Sequence, residues 1–305
     1  MESLVKQHIL STIGNTPLVR INNLCDRKGV NILAKIEGVN PSGSIKDRIA
    51  LKMVEQAEKE GKLSKGKIIL EATSGNTGIG LAIVGIVKGY KVCIVMSESV
   101  SVERRKILAA YGANVILTPA EEGTDGAIKL ARQMVKENPE YYFMPDQFSN
   151  NHNYIAHYEQ TAIEIWQQTG GEIDYFVSAI GTSGTIMGVS KFLKNFKSDI
   201  KIICAQPIRG HYIQGLKNME EAIVPSIYNP TQIDEHIMIE SEDAIKMALR
   251  IIREEGIFAG MSSGAAMIAA LETAKKILNG NIVVVFPDRA EKYLSTIMFN
   301  KILME

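Results

Sequence analysis

One lysine of the sequence lies where its amine could act as a nucleophile. Lys46 lies in PSGSIKDR (41–48), among small residues at the start of a predicted helix. Partial desolvation at such a position lowers the pKa of an ammonium group and favours Schiff-base chemistry with a carbonyl compound. A solvated surface lysine is the alternative interpretation of this segment taken alone.

A second segment, EATSGNTGIG (71–80), directly follows the apolar run KIIL. Its small and hydroxyl-bearing residues leave backbone N–H groups at a helix N-terminus, where a carboxylate or phosphate binds favourably. The segment is not a dinucleotide fingerprint, because Ile83 stands where the third glycine of GxGxxG would be. Ordinary helix capping would use the same residue types.

A third segment, GTSGTIMG (181–188), follows the apolar run YFVSAI. It lacks the GK[ST] of a nucleotide-binding P-loop. Its backbone N–H groups, with the hydroxyls of Thr182, Ser183 and Thr185, could bind a single phosphate. A tight turn between a strand and a helix remains the simpler alternative.

These segments are separated by apolar runs that alternate with helical patterns, which predicts parallel sheets covered by helices in an α/β fold. The predicted strands are 31–36, 67–71, 91–96, 114–117, 175–179, 201–205 and 282–286. The predicted helices are 47–60, 77–88, 101–111, 125–137, 152–168, 185–195, 242–255 and 264–279. The alternation pauses near 145–150, which is the best candidate for a domain boundary.

Composition narrows the function classes. The 305 residues contain 34 basic and 34 acidic side chains, so a net charge of zero gives no electrostatic reason to expect nucleic acid or an acidic membrane as partner. Cys25, Cys93 and Cys204 show no metal-ligand or disulfide spacing. The opening MESLVKQHIL lacks the apolar core of a signal peptide. We expect a cytoplasmic globular protein without a metal.

Taken together, the motifs resemble a known family. IGNTPLV (13–19), the three segments above, Gln147 with Phe148, and PDRAEKYLST (287–296) occur in one order. The series is similar to the cysteine synthase (O-acetylserine sulfhydrylase) family of fold-type II pyridoxal-phosphate enzymes. The resemblance implies a tryptophan synthase β-like fold of two α/β domains with mostly parallel sheets and the cofactor between them. It implies a smaller mobile domain over 42–148 and a larger one formed by 1–41 and 149–305.

The resemblance also implies roles for individual residues. Lys46 matches the lysine that holds pyridoxal 5'-phosphate covalently and moves the Cα proton, and Asn76 matches the asparagine that hydrogen-bonds the ring oxygen of the cofactor. The phosphate would be bound by Gly181, Thr182, Ser183, Gly184 and Thr185. The substrate carboxylate would be bound by Thr73, Ser74, Gly75, Thr77 and Gln147.

The activity that the resemblance implies is β-replacement. A group leaves Cβ of an activated L-serine or of L-cysteine to give an α-aminoacrylate, and sulfide or a thiol then adds. The small-molecule partners would be the amino acid and sulfide or a thiol, and the family's usual assembly is a homodimer.

The sequence departs from the family pattern at three places. Ser183 replaces the middle glycine of the usual GTGGT, which is harmless for backbone N–H donation unless the position requires a positive φ. Asp288 replaces a serine expected to face the pyridine nitrogen, and either contacts that nitrogen or pairs with Arg289 or Lys292.

The third departure is IQGLKNMEEAIVP, from Ile213, in place of IQGIGAGF. It puts Lys217 near the expected mouth of the site, where an ammonium would stabilise an anionic leaving group or a second amino acid. The family resemblance makes cysteine synthase, with sulfide added to O-acetylserine or O-phosphoserine, the leading prediction. The alternatives are a sulfide-releasing cysteine lyase or lanthionine synthase, a short cystathionine β-synthase, and a catalytically idle binding protein of the same fold.

Overall fold

A computed structural model describes residues 5–300, which form two compact units. One unit comprises the described residues up to Asn15 together with Val39–Asn153. The other comprises Thr16–Gly38 together with the described residues from Tyr154 onward. We call them unit 1 and unit 2.

The strands and helices alternate along most of the described chain. In chain order, the strands are β1 (Leu18–Arg20), β2 (Val30–Ile36), β3 (Ile68–Ala72), β4 (Lys91–Ser97), β5 (Asn114–Thr118), β6 (Tyr142–Phe143), β7 (Tyr175–Ala179), β8 (Lys201–Pro207), β9 (Glu235–Ile239) and β10 (Gly280–Phe286). The α-helices are α1 (Lys46–Lys59), α2 (Asn76–Lys88), α3 (Val102–Ala110), α4 (Gly123–Glu137), α5 (Asn151–Ala156), α6 (Ala162–Thr169), α7 (Gly184–Phe196), α8 (Ser241–Glu255), α9 (Met261–Lys276) and α10 (Ile297–Asn300). Among these described helices, none has both the length and the apolar character that crossing a membrane requires.

Unit 1 is built on a parallel four-stranded sheet in the order β5-β4-β3-β6. Alternate residues of β3 and β4 face opposite sides. Leu70 and Cys93 pack in one core with Ile128 of α4, whereas Ile69 and Ile94 pack in another with residues of α1 and α2. Burial on both faces explains why these strands are continuous apolar runs. The carboxyl ends of β3 and β6 meet at one edge of the sheet, and the segments that follow them carry the candidate residues of this unit.

Unit 2 contains a six-stranded sheet in the order β1-β2-β10-β7-β8-β9, in which only the β1–β2 pair is antiparallel among the described pairings. The alanine-rich α9 packs against this sheet and against α8. A Cβ atom on Gly264 would lie 2.0 Å from the carbonyl oxygen of Ala244, so glycine is required for the approach of α8 and α9. The segments after β7 and β10 leave the same sheet edge.

The α/β prediction is confirmed, and all seven predicted strands are present within a residue or two of their expected bounds. The sequence did not predict the short β1 and β6 or the alternating β9. The helix predicted over 152–168 consists of α5, a turn of π-helix over His157–Thr161, and α6. Such π-helical turns are rare and often lie at functional sites.

Candidate active site

Lys46 is the first residue of α1, and its side chain is half-buried. Its backbone N–H donates to Ser44 Oγ at 3.2 Å, while Asp47 accepts a hydrogen bond from the backbone N–H of Ser42 at 2.7 Å. These contacts fix the turn from which α1 begins. A Cβ atom on Gly80 of α2 would lie 3.3 Å from the Lys46 carbonyl oxygen, so Lys46 lies directly beside α2. The structure thus places the predicted lysine at a helix start, as the sequence indicated.

The segment 73–77 comprises the turn after β3 and the first two residues of α2. Gly75 has a φ of 135°, and a Cβ atom there would lie 2.4 Å from Cδ of Arg104. The Arg104 guanidinium donates to the carbonyl oxygen of Ser74 at 2.9 Å, and Thr73 Oγ1 accepts from the Gly75 N–H at 3.0 Å. The turn is therefore held by a buried arginine from α3, which sequence reasoning missed because nothing in VERRKIL distinguishes Arg104 from Arg105.

Gln147 is brought to the same turn from the segment after β6. Its buried side chain donates from Nε2 to the Ala72 carbonyl oxygen at 3.0 Å and accepts from Thr77 Oγ1 at 2.6 Å. The predicted residues Thr73, Ser74, Gly75, Asn76, Thr77 and Gln147 thus share one edge of unit 1. An array of backbone N–H groups, hydroxyls and an amide at a helix N-terminus is suited to binding a carboxylate.

The corresponding segment of unit 2, 181–185, lies after β7 and includes the first two residues of α7. Ser183 precedes the first residue of α7 and has a φ of 67°, in the left-handed region. The expectation that serine is harmless here was conditional on an ordinary φ, and that condition is not met. Left-handed backbone costs a residue with a Cβ roughly 1–2 kcal/mol relative to glycine. A serine at this position would be explained if its hydroxyl made a hydrogen bond that offsets this backbone cost.

The other residues of this turn are also constrained. A Cβ atom on Gly181 would lie 2.3 Å from the carbonyl oxygen of Gly215, so only glycine fits. Thr185 Oγ1 lies 3.3 Å from Nε2 of His157, whose Nδ1 lies 3.0 Å from Thr161 Oγ1. The π-helical turn thereby puts a buried histidine behind the predicted phosphate-binding loop. Sequence reasoning missed His157, because the histidine carries no pattern of its own within a helical stretch.

The 213–221 segment contacts the same turn through the backbone. The Lys217 N–H donates to the carbonyl oxygen of Ile180 at 2.9 Å, so Lys217 lies beside the 181–185 segment within unit 2. Asn218 is buried and donates to the Pro207 carbonyl oxygen at 2.9 Å. Glu221 is exposed and accepts from the Gly210 N–H. Asn218 and Glu221 therefore shape the loop that presents Lys217.

Asp288 is buried in the segment after β10, at the same sheet edge as the 181–185 turn. It accepts a hydrogen bond from Tyr293 Oη at 2.7 Å, and its carbonyl oxygen accepts from the Gly260 N–H at 3.2 Å. Arg289, one of the two ion-pair partners considered for Asp288, pairs with Glu291. Tyr293 is thus a partner of Asp288 that sequence reasoning did not consider.

The three cysteines are free thiols. Burial raises the pKa of Cys204 to about 12 and also raises the pKa of Cys93, which suppresses thiolate formation at both positions. Within residues 5–300, no group of three or more His, Cys, Asp or Glu side chains is arranged to hold a metal ion.

The residues present fit pyridoxal phosphate. The Ser183 hydroxyl is buried, with no hydrogen-bond partner among the described residues, beside the N-terminus of the 13-residue α7. A buried hydroxyl without a partner is unfavourable, and a phosphate oxygen would supply the missing acceptor. Lys46 at its helix start supplies the amine that an aldehyde requires.

Comparisons with known proteins agree with this fit. The model of the family "Pyridoxal-phosphate dependent enzyme" matches residues 9–288. The cysteine synthase of Aquifex aeolicus is 46% identical over 303 residues, covering 97% of this chain and 93% of that protein. The crystal structure of cysteine synthase from Entamoeba histolytica is similar with a TM-score of 0.91 at 43% identity, covering 98% of this chain and 92% of that one.

A third similar protein is a hydrogen sulfide-producing enzyme from Fusobacterium nucleatum. Its crystal structure has a TM-score of 0.90 at 41% identity and covers 95% of this chain and 100% of that one. The matches extend over nearly the whole sequence. The chain belongs to the pyridoxal-phosphate dependent enzyme family, with the fold-type II architecture.

Proposed function

We propose that this protein is a cysteine synthase that catalyses β-replacement on an activated L-serine, with sulfide as the incoming nucleophile. The observation that carries the proposal is the edge of unit 1 formed by residues 73–77 and Gln147, whose donors are suited to a carboxylate. Cysteine synthases among the similar proteins support it. Such an edge would bind the α-carboxylate, which all amino acids share. Substrates would then be distinguished by the group that each carries on Cβ.

Different residues of the chain would bind the cofactor, transfer the proton and orient the substrate. When bound, pyridoxal phosphate supplies an electron sink that makes the Cα proton of the amino acid labile. Lys46 would hold the cofactor, and its amine, when it is not attached, would take that proton. Residues 73–77 and Gln147 orient the carboxylate, and with it the Cα–H bond, for proton transfer. Asn76 would bind the ring oxygen and residues 181–185 would bind the phosphate. Asp288, which accepts a hydrogen bond from Tyr293, would be the partner of the ring nitrogen.

Cysteine is a second candidate for the amino-acid substrate. The hydrogen sulfide-producing relative from Fusobacterium nucleatum is 41% identical to this chain. A cysteine substrate would release sulfide from Cβ, and water or a second cysteine would add to give serine or lanthionine. Both candidates use the same carboxylate-binding residues and differ in the group that leaves.

Offering the candidate substrates separately tests the proposal. We expect O-acetylserine or O-phosphoserine, with sulfide, to give cysteine with a higher kcat/KM than cysteine gives sulfide, and serine to react more slowly than either ester. Product formation and the visible absorbance of the bound cofactor report each reaction. Faster sulfide release from cysteine would replace the leading proposal by the second candidate. If none of the four amino acids reacted, the result would favour the catalytically idle binding protein.

The same assay with Lys217→Ala assigns the leaving group. A charge-assisted contact is worth roughly 1.5–3 kcal/mol, less where water screens it. If Lys217 stabilises an anion, kcat/KM for O-phosphoserine falls about tenfold or more while that for O-acetylserine changes little. If kcat/KM changed equally for both esters, Lys217 would have no specific role toward the leaving group.

Two substitutions at Ser183 separate its backbone cost from the use of its hydroxyl. Ser183→Gly relieves the left-handed strain and should stabilise the cofactor-free protein by about 1 kcal/mol, whereas Ser183→Ala retains the strain. Both remove the hydroxyl, so both should weaken pyridoxal phosphate binding about tenfold. Thermal unfolding of the cofactor-free protein and equilibrium titration with the cofactor measure the two effects. Unchanged cofactor affinity in both variants would show that the hydroxyl does not reach the phosphate.

The proposal extends to location and assembly. We place the enzyme in the cytoplasm as a homodimer, supported by its free thiols and by the usual assembly of the family it resembles.

A further inference from the structure

Glu71 is a buried acid to which the proposed chemistry assigns no role. It lies in β3 opposite Ile94 of β4, one residue before the end of the strand. Its side chain is 0% exposed, and neither carboxylate oxygen has a hydrogen-bond partner among the described residues. An ionised carboxylate in such surroundings would be strongly destabilised. The site therefore favours the protonated acid.

Asp146 is the charged group that acts on Glu71. Ile69 of β3 pairs with Phe143 of β6, so the chain after β6 runs beside Glu71 and Ala72. Burial raises the pKa of Glu71 well above its ordinary value, and the negative charge of Asp146 raises it further. The N–H groups of Gln147, Asp146 and Ala72 oppose this shift without completing a hydrogen bond to the carboxyl.

Asp146 itself has an unmet requirement for a donor. Its Oδ2 pairs with the Arg132 guanidinium of α4 at 3.2 Å, whereas its buried Oδ1 has no hydrogen-bond partner among the described residues. A protonated carboxyl is a donor, and a carboxylate oxygen is an acceptor. A protonated Glu71 would supply the donor that Oδ1 of Asp146 lacks, and Oδ1 would supply an acceptor for that proton.

Asp146 also determines where Gln147 lies. Asp146 has a φ of 49°, and its carbonyl oxygen accepts from the N–H groups of Ser149 and Asn150, both at 2.9 Å. The next residue is Gln147, whose carbonyl oxygen accepts from Asn153 Nδ2 at 2.6 Å. A change in the left-handed backbone of Asp146 would rotate Gln147 away from Ala72 and Thr77.

We propose that Glu71 is a positioning residue, a carboxylic acid whose O–H donates to Asp146 Oδ1 and thereby holds Gln147 in its carboxylate-binding position. The inference rests on the proposed function of Gln147. It explains why an acidic residue lies inside a strand that is otherwise apolar, directly before the substrate-binding turn. Glu71 acts through Asp146 and Gln147 and makes no contact with substrate.

Infrared spectroscopy tests the protonation without any turnover. We expect the native holoenzyme to show the carbonyl stretch of a protonated carboxyl group that Glu71→Gln removes. A native spectrum with no such band lost on substitution would overturn the proposal. This measurement stands even if the protein proves to bind no amino acid, which would instead contradict the proposed function.

Amino-acid binding tests the positioning. L-Alanine carries the carboxylate but no leaving group, so its titration into the holoenzyme measures binding alone. Glu71→Gln keeps a neutral donor and should leave the dissociation constant within about twofold, whereas Glu71→Met should raise it about tenfold. The visible absorbance of the bound cofactor should be unchanged in both variants. Equal affinities of the Met and Gln variants would overturn the positioning role.

Asp146 supplies a second variant and its control. Asp146→Gly removes the acceptor but keeps a residue that adopts the left-handed φ without strain, and it should weaken L-alanine binding about tenfold, as Glu71→Met does. Arg132→Ala removes only the ion pair to Oδ2 and should change binding by no more than about twofold. This pair decides the proposal even if Glu71→Met does not fold. Normal L-alanine binding by Asp146→Gly would contradict it.

Discussion

Replacing Lys46 by alanine is expected to remove both the covalent link to pyridoxal phosphate and catalytic turnover. Lys46 begins α1 with a half-buried side chain, and the proposed chemistry uses its amine as attachment point and as base. Positioned proton transfer alone contributes about 10²- to 10⁴-fold, so kcat should fall at least about a hundredfold. Borohydride reduction followed by mass spectrometry of the peptide that contains residue 46 measures the link, and the β-replacement assay measures turnover.

Lys59→Ala is the matched control for Lys46→Ala. Lys59 ends the same helix with an exposed side chain, so its loss should affect neither the link nor turnover. A Lys46→Ala protein with full β-replacement activity would be incompatible with the mechanism. Loss of the link with turnover retained would separate the two roles and leave the proton transfer to another group.

Replacing Gln147 by alanine is expected to weaken amino-acid binding while the cofactor stays attached. One N–H of the Gln147 amide donates to the Ala72 carbonyl oxygen, and the amide has a second N–H for a carboxylate oxygen. A hydrogen bond to a charged group contributes about 1.5–3 kcal/mol, which corresponds to about 10- to 100-fold in affinity. The dissociation constant for L-alanine and the KM for the preferred substrate should both rise by this factor.

Gln133→Ala provides the comparison for Gln147→Ala. Gln133 lies on an exposed part of α4, where its amide bonds only Glu137 in the described contacts, so its replacement should change neither value. Should Gln147→Ala lose the cofactor and bind amino acids normally, the roles assigned to the 73–77 and 181–185 segments would have to be exchanged.

The sequence predicted the fold where burial leaves a strong pattern. Strands such as β4 and β10 are continuous apolar runs because they are covered on both faces. The sequence did not reveal β9, whose burial alternates, or β6, which has two residues and depends on its pairing with β3. Such short or alternating strands form because an adjacent strand, β3 for β6 and β8 for β9, supplies the hydrogen-bonding partners.

The same contrast holds for the candidate site. Motif order predicted Lys46 and the segments 73–77 and 181–185, because backbone turns and helix starts require particular residue types. The roles of Arg104 and His157 depend on tertiary neighbours that local sequence does not encode. The left-handed φ of Ser183 was equally hidden, since serine seldom adopts it.

The position of β2 has a consequence for folding during synthesis. This strand pairs in register with β10, Val30 with Gly280 and Ile36 with Phe286, although about 250 residues separate the two. At roughly 5–20 residues per second, β2 leaves the ribosome roughly 10–50 s before its partner. Unit 1 includes Val39–Asn153, so all the strands of its sheet have been synthesised by then and the unit can fold. In unit 2, β2 can already pair with β1, but β10, its neighbour on the other side, has not yet been made. During that interval β2 exposes an unpaired edge, which is prone to aggregation until β10 pairs with it.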